Sequence, residues 1–110
     1  MHLVSLAGVV MLGMTLGSLS AVALTTTEVI GQQGRKFSAA NVSVRKGQPV
    51  TFLNDDNVPH NVLSLSVGNE FDLGSQPPGT STDVSFTVAG EVEVICAIHP
   101  RMKLIVNVTQ

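Results

Sequence analysis

From residue 24 onward the sequence predicts an all-β domain, an antiparallel sandwich or barrel of about seven strands. Three observations carry this. Apolar and polar residues alternate with period 2 in short runs, turn-forming residues separate the runs, and no stretch sustains the 3.6-residue spacing of an amphipathic helix. Short strands at such regular spacing are the pattern of a sandwich or barrel.

The expected strands are 27–32, 41–46, 49–54, 58–66, 82–88, 91–96 and 102–109. Gly47-Gln48-Pro49 divides the second from the third, and Asn54-Asp55-Asp56-Asn57 divides the third from the fourth. Gly74 to Gly79, with Pro77-Pro78, reads as a loop, and Ala89-Gly90 as a tight connection. Parity then assigns faces. Val92, Val94 and Cys96 share one face of their strand and Glu91 and Glu93 the other, so the thiol is expected to point inward. Met102, Leu104, Val106 and Val108 form a second inward row, and Val58, His60 and Val62 a third.

Residues 1–23 stand apart. Residues 3–19 are apolar or small with no charged side chain, and Ala21-Val22-Ala23 matches a small-residue cleavage site. The expectation is a cleaved export signal (1–23) followed by one domain (24–110), hence a periplasmic or secreted protein. Met1-His2 brings no Lys or Arg to the start, so an uncleaved anchor is the alternative; residues 3–24 are about long enough to span a bilayer. Gly8, Gly13, Gly17, Ser18 and Ser20, with no basic cluster after them, favour the signal. Stable membrane insertion is not expected after cleavage. A domain of this size buries roughly 60–65% of its unfolded surface, so its core is adequate rather than generous.

Composition excludes several functions. The formal net charge is -2 and the basic pairs Arg35-Lys36, Arg45-Lys46 and Arg101/Lys103 are scattered, so there is no footprint for nucleic acid. The chain has no Trp or Tyr for a stacking surface. A monomer is expected.

Beyond residue 23 the chain has two histidines, one cysteine and one methionine: His60, His99, Cys96 and Met102. A single cysteine cannot form an internal disulfide, and ligation to a metal is one way to protect it. Three of the four lie within the seven residues Cys96-Ala97-Ile98-His99-Pro100-Arg101-Met102. Two imidazoles, a thiolate and a weak thioether are the donor set of a blue copper electron-transfer site. A strand-end Cys, a loop His and a Met entering the next strand let one turn wrap three sides of an ion, while His60 comes from a distant strand. Pro100 biases His99 away from the α region and stiffens the loop.

Taken singly, each residue has a plainer reading: an inward Cys as a small hydrophobe, Met102 as a core filler, His99 as a turn residue. Falling together with consistent parity in one ligand spacing argues against all three. Zinc is the chemical rival. It takes Cys, His or carboxylate rather than thioether, so it would need Asp55 or Asp56 and leave Met102 unexplained. Asp55-Asp56 otherwise reads as a solvated turn. Asn41-Val42-Ser43 and Asn107-Val108-Thr109 match the glycosylation acceptor, a pattern frequent by chance.

Cys96-x-x-His99-x-x-Met102 with Asn57-Val58-Pro59-His60-Asn61-Val62, and Val44-x-x-Gly47-x-x-Val50-x-Phe52-x-Asn54 upstream, resembles the cupredoxins, the small blue copper proteins. The short ligand loop is most similar to that of amicyanin. The resemblance covers the domain and implies an eight-stranded Greek-key sandwich, one mononuclear type 1 copper, and one-electron transfer between redox partner proteins rather than catalysis. It assigns His60, Cys96 and His99 as strong ligands, Met102 as the axial one, and His99 as the partly exposed exit. Asn61 would brace the loop that starts at the cysteine. A hydroxyl residue often follows that cysteine; here Ala97 does, so a side-chain partner for the brace is missing. Val94 and Ile95 also stand where aromatics are frequent. Arg101 and Lys103 would give the copper end a positive rim. Copper tolerance or delivery with the same ligands is the second reading, and the absence of a further His- or Met-rich tract favours electron transfer.

Overall fold

The computed structural model describes residues 27–110 and, ahead of them, Gly13 alone. The expected export segment and its cleavage site otherwise lie outside the described residues. Among the described residues the secondary structure is all strand: β1 (Glu28–Gln33), β2 (Lys36–Phe37), β3 (Asn41–Arg45), β4 (Pro49–Asn54), β5 (His60–Ser64), β6 (Phe71–Gln76), β7 (Ser81–Ser85), β8 (Gly90–Ile95) and β9 (Lys103–Thr109). No helix among them is long and apolar enough to cross a membrane.

Two sheets face each other, β2-β1-β4-β7 and β3-β9-β8-β5-β6. Their inner faces bury Ile30, Val44, Val50, Phe52, Val62, Val92, Val94, Leu104 and Val106. Phe52 of one sheet meets Phe71 of the other at 6.3 Å between ring centres, and edge-on contacts at 6.4 Å to Phe37 and 5.9 Å from Phe71 to Phe86 complete an aromatic line across the core. Such pairs add about 0.5–1.5 kcal/mol each beyond area burial.

The sandwich is borne out, with three corrections. The sheets are mixed, not antiparallel: β1 runs parallel to β4 and β3 parallel to β9. Residue alternation is the same in either direction, so it carries no information on strand polarity. β6 lies partly where a loop was expected; Gly74 sits within it at φ 66°. Between Asn61↔Ser75 and Leu63↔Asp72 the register slips, so Leu73 and Gly74 oppose Val62 alone. That is a bulge, and a glycine in the left-handed region accommodates it. Finally, β5 is shorter than the expected 58–66, and the two-residue β2, reached through the turn Gly34-Arg35 at φ 61° and 58°, is too short to read from alternation.

Topology explains why distant residues meet. β5 and β9 both run antiparallel to β8. The first residue of β5, the residue after β8 and the residue before β9 therefore lie at one end of the same sheet. These are His60, Cys96 and Met102. β1 ends at that end too, because it is parallel to β4, whose last residue leads into the turn before His60.

Candidate metal centre

The predicted parity holds around the site. Val92, Val94 and Cys96 are buried while Glu91 and Glu93 are exposed, and Met102, Leu104, Val106 and Val108 form a buried row. His60 and Val62 are fully buried, but Val58 precedes β5 and is only half-buried. His99 is half-buried in the loop, where Met102 N–H donates to the His99 carbonyl at 2.9 Å and closes the turn over Pro100 and Arg101. Cys96 N–H donates to the Met102 carbonyl at 3.4 Å and ties the two ends of the loop together.

Three of the four sequence candidates offer donor atoms to one point. His60, Cys96 and His99 each contribute an atom, and these atoms lie within 4.8 Å of one another. The two Nδ1 atoms are 3.1 Å apart and Cys96 Sγ is 3.8 Å from His99 Nδ1. Nitrogens that close can both bond one ion at the roughly 2 Å usual for imidazole ligands. Met102, the fourth candidate, has its side chain buried just before β9.

His60 is held from behind. Asp56 Oδ2 lies 2.9 Å from His60 Nε2, four residues upstream. The same oxygen accepts the Arg35 backbone N–H at 2.9 Å, and Oδ1 accepts the Asn57 N–H at 3.0 Å. The Arg35 amide, first, and the His60 ring, second, hold the Asp56 carboxyl down at about 2. It is therefore an ionised acceptor at neutral pH. In the neutral ring an ionised Asp56 requires the hydrogen on His60 Nε2, which leaves Nδ1 as the ligating nitrogen on the side of His99. This corrects the reading of Asp56 as a solvated turn residue; Asp55 is indeed exposed. The Asp-to-His spacing of four was visible in the sequence, but only the closure of the turn gives it meaning. Because Asp56 faces the opposite ring nitrogen from the donor cluster, it does not close a zinc site.

The Asn61 brace is present without a hydroxyl at position 97. Asn61 Oδ1 accepts the backbone N–H of Ala97 at 3.3 Å, so no side chain at 97 is needed. Asn61 Nδ2 donates to Asp72 Oδ1 at 2.7 Å and to the Gly74 carbonyl at 3.0 Å, and Asn61 N–H points at Cys96 Sγ at 3.3 Å. Gly74 N–H, first, and the Asn61 amide, second, hold the Asp72 carboxyl below its usual range. Beneath the site lies a buried polar layer. Gln32 donates to Gln76 Oε1 at 2.8 Å, and Asn54 Nδ2 donates to the carbonyls of Val58 and Gln76 at 2.9 and 2.8 Å. The two Asn54 bonds satisfy backbone carbonyls that a turn next to the core would otherwise leave unpaired.

The sequence matches a family described as "Copper binding proteins, plastocyanin/azurin family" over residues 24–109. No curated protein is similar enough to count as a match. Among solved structures, the chain is similar to the copper-containing nitrite reductase of Thermus scotoductus (25% identity, TM-score 0.71, 77% of this chain), of which it spans only 23%. It is similar to a purple cupredoxin from Nitrosopumilus maritimus (26%, TM-score 0.66), covering 74% of this chain and 99% of that one. It is also similar to amicyanin from Paracoccus versutus (25%, TM-score 0.66), covering 76% and 81%.

Proposed function

Because this chain belongs to the copper-binding plastocyanin/azurin family, we propose that it is an exported blue copper electron carrier, with His60, Cys96 and His99 as strong ligands and Met102 as the axial one. The convergence of two Nδ1 atoms and one Sγ within 4.8 Å is the observation that supports this most. When bound, copper supplies a one-electron couple whose two states prefer different geometries.

The protein residues do the rest. Asp56 and Asn61 hold His60 and the cysteine loop in place, so the donors need little rearrangement when the charge at the site changes. His60 and Cys96 are fully buried, which keeps water from the thiolate. His99 is half-buried and forms the route to a redox partner protein. Both histidines beyond residue 23 belong to this one cluster, so none is left for a second, catalytic metal. The apolar run in residues 1–23 and a family match beginning at residue 24 support removal of a leader and a periplasmic or secreted location.

The test is the visible spectrum after adding Cu(II). An intense thiolate-to-copper band is expected, and Cys96→Ser should abolish it while leaving the strand content intact. A folded protein that shows no such band would overturn the assignment. Fast reversible redox cycling with slow copper exchange marks a carrier; ready release of copper to a chelating acceptor would mark a delivery protein instead.

A further inference from the structure

The chain is acidic overall, with 6 Lys or Arg against 8 Asp or Glu, yet its cations are not evenly spread. An open groove of about 390 Å³ beside His99 is lined by Arg35, Lys36, Ile98, His99, Pro100 and Arg101. An adjoining groove shares Lys36 and Arg101 and adds Lys103. Four of the six cationic residues thus flank one face, and no carboxylate lines either groove. Arg35 comes from the β1–β2 turn and Lys36 from β2 of one sheet, and Arg101 and Lys103 from the loop and β9 of the other.

These charges are available. Lys103 lies 3.8 Å from Glu93, but among the described residues neither Arg35, Lys36 nor Arg101 makes an ion pair. Asp56, the acid nearest the turn, is committed to the Arg35 amide and the His60 ring. The floor between the cations is apolar, with Ile98 52% exposed beside Pro100. An apolar contact inside a rim of one charge sign fits a surface with the opposite rim, and the rim steers encounter more than it adds affinity.

We infer that this face docks the acidic surface of a redox-partner protein, with Arg35, Lys36 and Arg101 steering it onto the Ile98–Pro100 floor beside His99. That the partner is a redox protein rests on the electron-carrier proposal; the acidic chemistry does not.

The test is amide NMR of the Cu(I)-loaded protein, titrated at low salt with an octaglutamate peptide, an octalysine peptide and inorganic phosphate. Octaglutamate should shift the amides of residues 35, 36, 98, 99 and 101, and about 0.2 M salt should reverse this, since the screening length is then under about 10 Å. The triple variant Arg35→Glu, Lys36→Glu, Arg101→Glu should bind at least about tenfold more weakly. If it fails to fold, the neutral pair Lys36→Gln, Arg101→Gln should show a smaller loss of the same sign. Shifts scattered over the surface, or equal shifts with octalysine, would overturn the inference. So would equal shifts with phosphate, which would indicate a small-anion site, or concentration-dependent shifts of these amides without peptide, which would indicate self-association. The titration is repeated with copper-free protein, so failure to bind copper and failure to bind the acidic peptide are separate results.

Discussion

The two nitrogens of His60 have different jobs, and Asp56 decides which does which. Its carboxylate accepts from Nε2 and leaves Nδ1 to face the other donors. Asp56→Asn keeps an acceptor oxygen but removes the charge and one strong acceptor. Copper affinity should fall roughly 10–100-fold, the usual cost of losing such a partner, as read by competition with a chelator of known affinity; unchanged affinity would show that the ring is held by packing alone. On the other side, Asp72 anchors the Asn61 brace with its carboxyl held below the ordinary 3.8. A depressed folded value means that the unfolded chain binds more protons in acid. This contribution is therefore complete above the ordinary carboxylate value and is lost as pH falls through the lowered one. Asp56, at about 2, acts in the same direction. Melting temperature should drop from about pH 5 downward, and less steeply in Asp72→Asn than in the parent.

Strands of ordinary sequence become a site through two irregular elements. One is the β5–β6 bulge, which puts the Gly74 carbonyl and amide within reach of Asn61 and Asp72. A Cβ at Gly74 meets nothing within 4 Å, so Gly74→Ala tests backbone conformation alone. It should destabilise by about 1–2 kcal/mol, the cost of a non-glycine residue in the left-handed region, measurable as a shift in denaturant midpoint without loss of the strand spectrum. The other is the β1–β2 turn, whose Arg35 amide feeds Asp56. Neither was legible beforehand. A two-residue strand is too short to show alternation, and a bulge is a property of two strands in register, not of either alone.

Across the whole domain, the metal and the fold are linked. His60 lies far in sequence from the Cys96–Met102 segment, so an unfolded chain does not hold the full donor set together. A ligand that binds only the folded state adds about 2.7 kcal/mol at a hundredfold excess over its dissociation constant. For a domain of this size that corresponds to a rise on the order of 10 °C in melting temperature. Copper should produce that rise in the parent by calorimetry, and Cys96→Ser should lose most of it. The sheet arrangement also segregates charge, bringing the cations of two chain segments to the end that carries His99.

Local periodicity in the sequence was enough to determine the strand-rich fold, the inward row ending at Cys96, the inward row starting at Met102, and the four donor candidates. Side-chain direction in a strand depends only on position within that strand, so it is readable one segment at a time. The tertiary structure alone decided that β1 and β3 pair in parallel, that Asp56 orients His60, and that Asn61 braces the loop through the Ala97 backbone. It also decided that Arg35 and Lys36 stand beside Arg101. Each depends on which strands become neighbours and in what register, a balance of packing between distant segments that no single segment encodes.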